Sequence, residues 1–228
     1  MNKGQTKMTL KIVENHLTRF SDAIAPLCLK RDAFLNHVIR IETPKLAEDL
    51  EGLGRQSSTA RRYSIGRLKK MGALKLHPIN VVVDKSVADA LTEVLRSHNV
   101  SRDVFVNRMI YLMIANRQEL EEVKLPIVVN ANEIDQWFES VSITPLGAIS
   151  DFMTDPFHYL RLGAEERHHR GLYRISFPDS LDGLNCYLND DEVPGSDAHK
   201  IAQEASHAAL VKILGGFENR DTKEGEKS

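Results

Sequence analysis

The chain has 228 residues, 42% hydrophobic and 27% charged, a composition that buries real cores and excludes a low-hydrophobicity disordered chain. No apolar run approaches the roughly 20 residues that cross a bilayer. The first residues lack the apolar stretch of a secretory signal, and the two cysteines, Cys28 and Cys186, have neither metal-ligand nor redox spacing, so a cytoplasmic setting is expected. The net charge of −2 hides a split: residues 1–83 hold 15 Lys/Arg against 7 Asp/Glu, and residues 84–228 hold 15 against 25. A basic end gains energy against a polyanion by releasing condensed counterions, which the acidic end cannot do.

In chain order, Met8, Leu10 and Ile12 alternate as in a half-buried strand. Phe20, Ala23 and Ile24 then follow helical spacing, with Pro26 set to end that helix early. A second helix carries Phe34 and Ile39 and extends toward Gly54. Residues 52–83 contain Arg55, Arg61, Arg62, Arg67, Lys69, Lys70 and Lys75 and no acid, with a helix expected from Ser57 or Ser58 to about Met71. Ile79, Val81 and Val83 alternate as a second strand. Ser86 is expected to cap a helix over Val87–His98, Asn99 to end it in the left-handed conformation, and Ser101 to cap the next helix.

Beyond Leu125 the pattern is expected to give a separate α+β region. LPIVV reads as a short strand, and Thr144-Pro145 and Asp155-Pro156 as helix starts. GLYRISFP and GLNCYLN read as two strands joined by a turn at Ser180–Gly183. An amphipathic helix over 196–214 is expected to stop at Gly215, with a disordered tail from residue 218. His158, His168, His169 and Cys186 lack metal spacing, and the Asp190-Asp191-Glu192 cluster reads as a surface turn. No phosphate-binding glycine loop, nucleophile elbow or HExxH motif occurs. No cofactor, metal or catalytic activity is therefore expected.

Two of these segments repeat at an offset of 71 residues. LKRDAFLNHVI from Leu29 aligns without gaps on VSRDVFVNRMI from Val100, matching Arg31/Arg102, Asp32/Asp103, Phe34/Phe105, Asn36/Asn107 and Ile39/Ile110. The register continues upstream through both helices and strands. Each copy reads strand, helix, tight turn, helix.

This unit resembles the ribbon-helix-helix superfamily of Arc-, MetJ- and CopG-like DNA-binding proteins. The resemblance implies a mainly helical fold in which two copies pair their strands into an antiparallel ribbon, laid in the major groove of double-stranded DNA. The two copies pair within one chain as a pseudo-dimer, or each with its equivalent in a second chain. The domains expected are copy 1 (1–52), a basic linker (53–77), copy 2 (78–122), the α+β region (123–217) and the tail (218–228). Carried over, the base-contact candidates are Lys7, Thr9, Lys11, Asn80 and Val82. The phosphate candidates are Lys30, Arg31, Ser101 and Arg102, joined by Arg61, Arg62, Arg67, Lys69 and Lys70 of the linker. The function implied is a sequence-specific DNA-binding regulator, a repressor. Its alternatives are an antitoxin or mobile-element accessory factor with a C-terminal partner-binding region, and a DNA-targeted effector with activity in the C-terminal half. The C-terminal half is also the expected site of self-association or protein partnership, and no membrane is expected.

Overall fold

The computed structural model describes residues 4–52, 65–66, 69, 74–125, 149–150, 153–186 and 197–221. Strand β1 (Gln5–Val13) leads directly into α1 (Glu14–Ile24), and α2 follows (Arg31–Asp49). Strand β2 (Leu76–Asp84) leads into α3 (Lys85–His98), α4 (Arg102–Ile114) and α5 (Arg117–Glu122). Later come α6 (His158–His168) and α7 (Asp197–Asp221), with two 3-10 turns between them, Leu172–Arg174 and Asp179–Leu184. The fold is mainly helical with one two-stranded antiparallel sheet.

The two strands pair within one chain, and their register carries the repeat. Thr9 stands opposite Asn80, its own counterpart 71 residues on. Thr6 opposite Val83 and Ile12 opposite His77 are likewise exchanged by the offset. The ribbon thus has a quasi-twofold axis through the Thr9/Asn80 pair. The inner rows, Met8, Leu10 and Ile12 with Ile79, Val81 and Val83, are buried. Each buried branched side chain contributes about 1.5–3 kcal/mol. A slip of one residue would exchange this row for Lys7, Thr9 and Lys11, so burial fixes the register. The helices interlock across the axis, α1 packing on α4 and α2 on α3.

Both copies turn between their helices by the same path. Cys28 and Asn99 are counterparts, and both have φ 55°. Leu29 N–H donates to Ile24 O (3.4 Å), as Val100 N–H donates to Leu95 O (3.0 Å). Pro26 does end the regular helix at Ile24, as its sequence position predicts. The path survives because the closing bonds use the N–H groups of residues 28 and 29, not that of residue 26.

Several expectations are corrected. Helix α3 starts at Lys85 with Asp84 at its N-cap, so Ser86 lies inside it. The reason is that Lys85 N–H is already held by Gly4 O at 2.8 Å. Ser101 occupies the N-cap of α4, but its hydroxyl makes no capping bond. Helix α6 starts at His158 rather than Pro156, and Asp155 instead pairs with Lys45 at 2.8 Å. Helix α7 runs through Gly215 to Asp221, taking in residues 218–221 of the expected tail. Of the expected linker helix only residues 65, 66 and 69 are described, and all three are helical. The 126–129 strand, Thr144-Pro145, the Asp190–Glu192 cluster and Gly54 lie outside the described residues.

Among the described residues after Leu125 there is no strand, against the two expected over 171–189. The cause lies in the carbonyls. Arg108, fully buried on α4, donates to Leu172 O (2.8 Å), Ile175 O (2.7 Å) and Leu184 O (3.3 Å), with its guanidinium 3.9 Å from the centroid of Phe177. Asn185 occupies Phe177 through both its side-chain oxygen and nitrogen. Groups that would form a ladder are thus bound to side chains. His37, the counterpart of Arg108, donates to Met153 O at 2.7 Å. Glu42, buried on α2, accepts from Arg161 and from Tyr173 Oη (2.6 Å). Burial pushes the Glu42 carboxyl up, and the Arg161 charge opposes that. At Gly171 any Cβ would lie 2.0 Å from Asp49 Oδ1, and Asp49 also accepts from Tyr173 N–H (2.8 Å). Phe157, Leu160, Ala164, Leu172, Tyr173, Ile175, Phe177, Leu184 and Cys186 therefore pack into one core with the residues of the repeat.

Two predictions follow from this packing. Cys28 holds a left-handed conformation without the local hydrogen bonding that favours asparagine there. Cys28→Asn should stabilise the chain by about 1 kcal/mol in urea titration, and a loss would contradict the shared turn. His16 is buried against Tyr111, and burial, then the Arg19 charge, lowers its pKa while Glu119 opposes. The unfolded chain therefore binds that proton more readily. Stability linked to His16 is fully present above about pH 6.5 and is lost as pH falls through the lowered folded value. The drop in Tm between pH 7 and pH 5 should be smaller in His16→Leu than in wild type; an equal drop would refute it.

Candidate nucleic-acid interface

A two-stranded ribbon leaves one outer edge on each strand, and an unpaired edge must find partners. Here each edge is filled by the second helix of the opposite copy. On β1, Thr9 O accepts from Arg102 Nη2 (2.8 Å), and Lys11 N–H donates to Asp103 Oδ1 (3.3 Å). Val13 N–H donates to Asn107 Oδ1 (2.8 Å), and Lys11 O accepts from Asn107 Nδ2 (2.7 Å). On β2 the counterparts repeat three of these four bonds, and Asn36 Nδ2 donates instead to Asp84 Oδ2 (3.0 Å). Asn80 O accepts from Arg31 Nη2 (3.0 Å), Val82 N–H donates to Asp32 Oδ2 (3.0 Å), and Asp84 N–H donates to Asn36 Oδ1 (2.9 Å). All three polar identities of the repeat are accounted for by these bonds.

These contacts fix which way each residue points. The odd residues from Lys7 to Lys11 and the even residues from Pro78 to Val82 turn their backbone groups to the outer edges and their side chains away from the core, whereas the end pair Val13/Leu76 is buried or half-buried. The outward row is therefore Lys7, Thr9 and Lys11 on β1, all exposed, with Pro78 and Asn80 exposed and Val82 half-buried on β2. Pro78 stands opposite Lys11 at an outward-edge position, so its missing N–H costs the ladder nothing. At the centre, Thr9 Oγ1 donates to Asn80 Oδ1 (2.9 Å), so the two side chains form one unit across the axis. All five base-contact candidates thus lie together on one solvent-facing surface.

The surface is uneven in charge. Lys7 and Lys11 both belong to β1 and stand opposite Val82 and Pro78. Asp84, at the end of β2, is paired with Arg40, and its hydrogen bond from Asn36 and that ion pair hold its carboxyl below the usual range. The helix starts flank the ribbon: Lys30 and Arg31 stand beside the β2 edge, Ser101 and Arg102 beside the β1 edge. Lys30 is exposed at the N-cap of α2. Arg31 also bonds Asp32 (2.9 Å), so both arginines already serve the ribbon edges. Of the linker candidates, Lys69 is helical and exposed, whereas Arg61, Arg62, Arg67 and Lys70 lie outside the described residues.

The sequence suggests Arg31 and Arg102 as phosphate anchors, with surface ion pairs as the plainer role of Arg102 and Asp103, and gives none to Asn36 or Asn107. The signal was present. Polar residues preserved between two diverged copies of one helix have to make the same bond twice. Among the described residues, no cluster of three or more His, Cys, Asp or Glu is placed to hold a metal ion, and no helix is long and apolar enough to cross a membrane. No family model, curated protein or solved structure matches the chain.

The edge bonds differ in burial, and their removal should differ in cost. Asn107 is fully buried. Asn107→Ala leaves the Val13 N–H without its partner and should cost about 1–3 kcal/mol in denaturant titration. Arg102→Ala, at an exposed carbonyl, should cost about 0.5–1.5 kcal/mol. A larger loss for Arg102 than for Asn107 would contradict the assignment of Asn107 as the stronger edge clamp.

Proposed function

We propose that the chain is a sequence-specific regulator of transcription, a repressor, that lays the β1–β2 ribbon in the major groove of double-stranded DNA. On this reading the two copies form a tandem ribbon-helix-helix unit closed within one chain. The observation that carries it is the outward row of Lys7, Thr9, Lys11, Asn80 and Val82 on a ribbon whose backbone edges are already satisfied internally. Such a face has side-chain donors to offer and no edge seeking another strand. The two strands are about 4.8 Å apart, and the major groove, about 12 Å wide, admits them. Lysine donates to guanine O6 and N7, and the Asn80 amide bonds base edges. Lys30 and the basic segment that includes Lys69 supply charge that strengthens binding without choosing sequence.

A second reading, an antitoxin or accessory factor with a partner-binding C-terminal part, is favoured by α7. That helix exposes Ile201, Leu210 and Val211, each more than half accessible. Leu210 and Val211 adjoin on it, while Ile201 lies about half a helical revolution from Leu210, so Leu210 and Val211 are the contact candidates. The two readings share the ribbon and differ in what α7 meets.

Electrophoretic mobility shift of the full chain against DNA upstream of its own gene, across a salt series, tests the reading. A specific shift that weakens steeply with salt is expected. Lys11→Ala and Asn80→Ala should lower preference for that site more than affinity for unrelated DNA. Equal loss on both DNAs, or no shift at any salt, would overturn it.

A further inference from the structure

We infer that the DNA site is polar rather than palindromic, with guanines on one strand and thymine methyl groups on the other. This rests on the major-groove reading above and adds to it a direction.

A ribbon built from two identical chains presents the same side chains to both halves of its site. This ribbon keeps that geometry and breaks its chemistry. The quasi-twofold through Thr9/Asn80 relates Lys7 to Pro78 and Lys11 to Val82. Every charged donor of the outward row therefore sits on β1. Across from each lysine, β2 presents an apolar side chain, Val82 facing Lys7 and Pro78 facing Lys11. The split runs along the length of the ribbon, not across its middle.

The direction of that split decides what can be read. Two strands about 4.8 Å apart in a groove about 12 Å wide lie each nearer to one DNA strand. The lysine row then meets bases of one DNA strand, and the apolar row those of the other. Lysine is a donor only, so it favours guanine, which offers two acceptors there; valine and proline have no polar side-chain atom and fit a thymine methyl. Lys7 and Lys11 are four residues apart, about 13 Å along a strand. Bases rise about 3.4 Å per step, so the two guanines stand about four steps apart on the same DNA strand. The central unit carries no charge to either side: the Asn80 carbonyl accepts from Thr9, which leaves the amide nitrogen as the donor that unit offers. The flanks compensate in charge. The lysine-poor strand is bordered by Lys30 and Arg31, whereas Ser101 takes the place of Lys30 beside the lysine-rich strand.

The test is selection from a pool of random duplexes by the full chain, followed by guanine-methylation interference on the winning site. The expected motif lacks inverted symmetry, and interference falls on two guanines of one strand about four steps apart. Lys7→Ala and Lys11→Ala, both at exposed positions, should each relax discrimination at one of those guanines by roughly 5- to 150-fold. Val82→Lys supplies the lysine that the quasi-twofold lacks. It should select a new guanine on the opposite DNA strand, at the position related to the Lys11 contact by the local dyad. Circular dichroism confirms that each variant folds. A motif with inverted symmetry, or equal interference on both strands, overturns the polarity and leaves DNA binding standing. Failure of the pool to enrich at all overturns both.

Discussion

Three side chains cross from each copy of the repeat to the strand edge of the other, and the remainder of the structure depends on that exchange. An unpaired edge along a strand of nine residues is a template for pairing with other chains. Arg31, Asp32 and Asn36 fill the edge of β2, and Arg102, Asp103 and Asn107 fill that of β1. Because every bond reaches the opposite copy, neither copy completes its own edge. The interlocking of α1 with α4 and of α2 with α3 follows from the same crossing. So does the orientation of the outward row, since the clamps decide which residues turn away from the core.

The C-terminal half is tied to this unit by the residues that sit one position beyond the clamps. Arg108 follows Asn107, and His37 follows Asn36. One face of each helix holds a strand edge, and the adjacent face holds backbone carbonyls of the later chain. A guanidinium without a carboxylate partner among its direct bonds is costly to bury, and burial lowers its pKa. Three carbonyls and the face of Phe177 offset that cost. The same carbonyls are then withheld from any sheet. This explains why the segments around Ile175 and Asn185 run side by side without becoming strands.

Much of the N-terminal fold was legible in the sequence because its periodicity is local and appears twice. The alternation of Met8, Leu10 and Ile12 reports one strand, that of Ile79, Val81 and Val83 the other, and the 71-residue offset aligns them. The left-handed turn at Asn99 was legible from its residue type, but the matching turn at Cys28 was hidden by an unfavourable one. The outward row was legible for the same reason as the core, since period two assigns both faces at once. The roles of Arg31 and Arg102 were not, because their acceptors lie 49 and 93 residues away in sequence. The C-terminal half misled for a like reason. GLYRISFP has the composition of a strand, and the buried arginine of a distant helix, with Asn185 at Phe177, removes its carbonyls from a ladder.

Strand pairing inside one chain also alters how the unit responds to dilution. A ribbon assembled from two chains is the minority species below its dissociation constant, where its amount falls with the square of the chain concentration. Here β1 and β2 are joined by the intervening chain, and their encounter is set by a tether rather than by copy number. The ribbon face is complete in a single molecule, and its supply rises in proportion to synthesis. Its two strands are also separate stretches of one sequence, so equivalent positions can carry different side chains, as Lys11 and Val82 do.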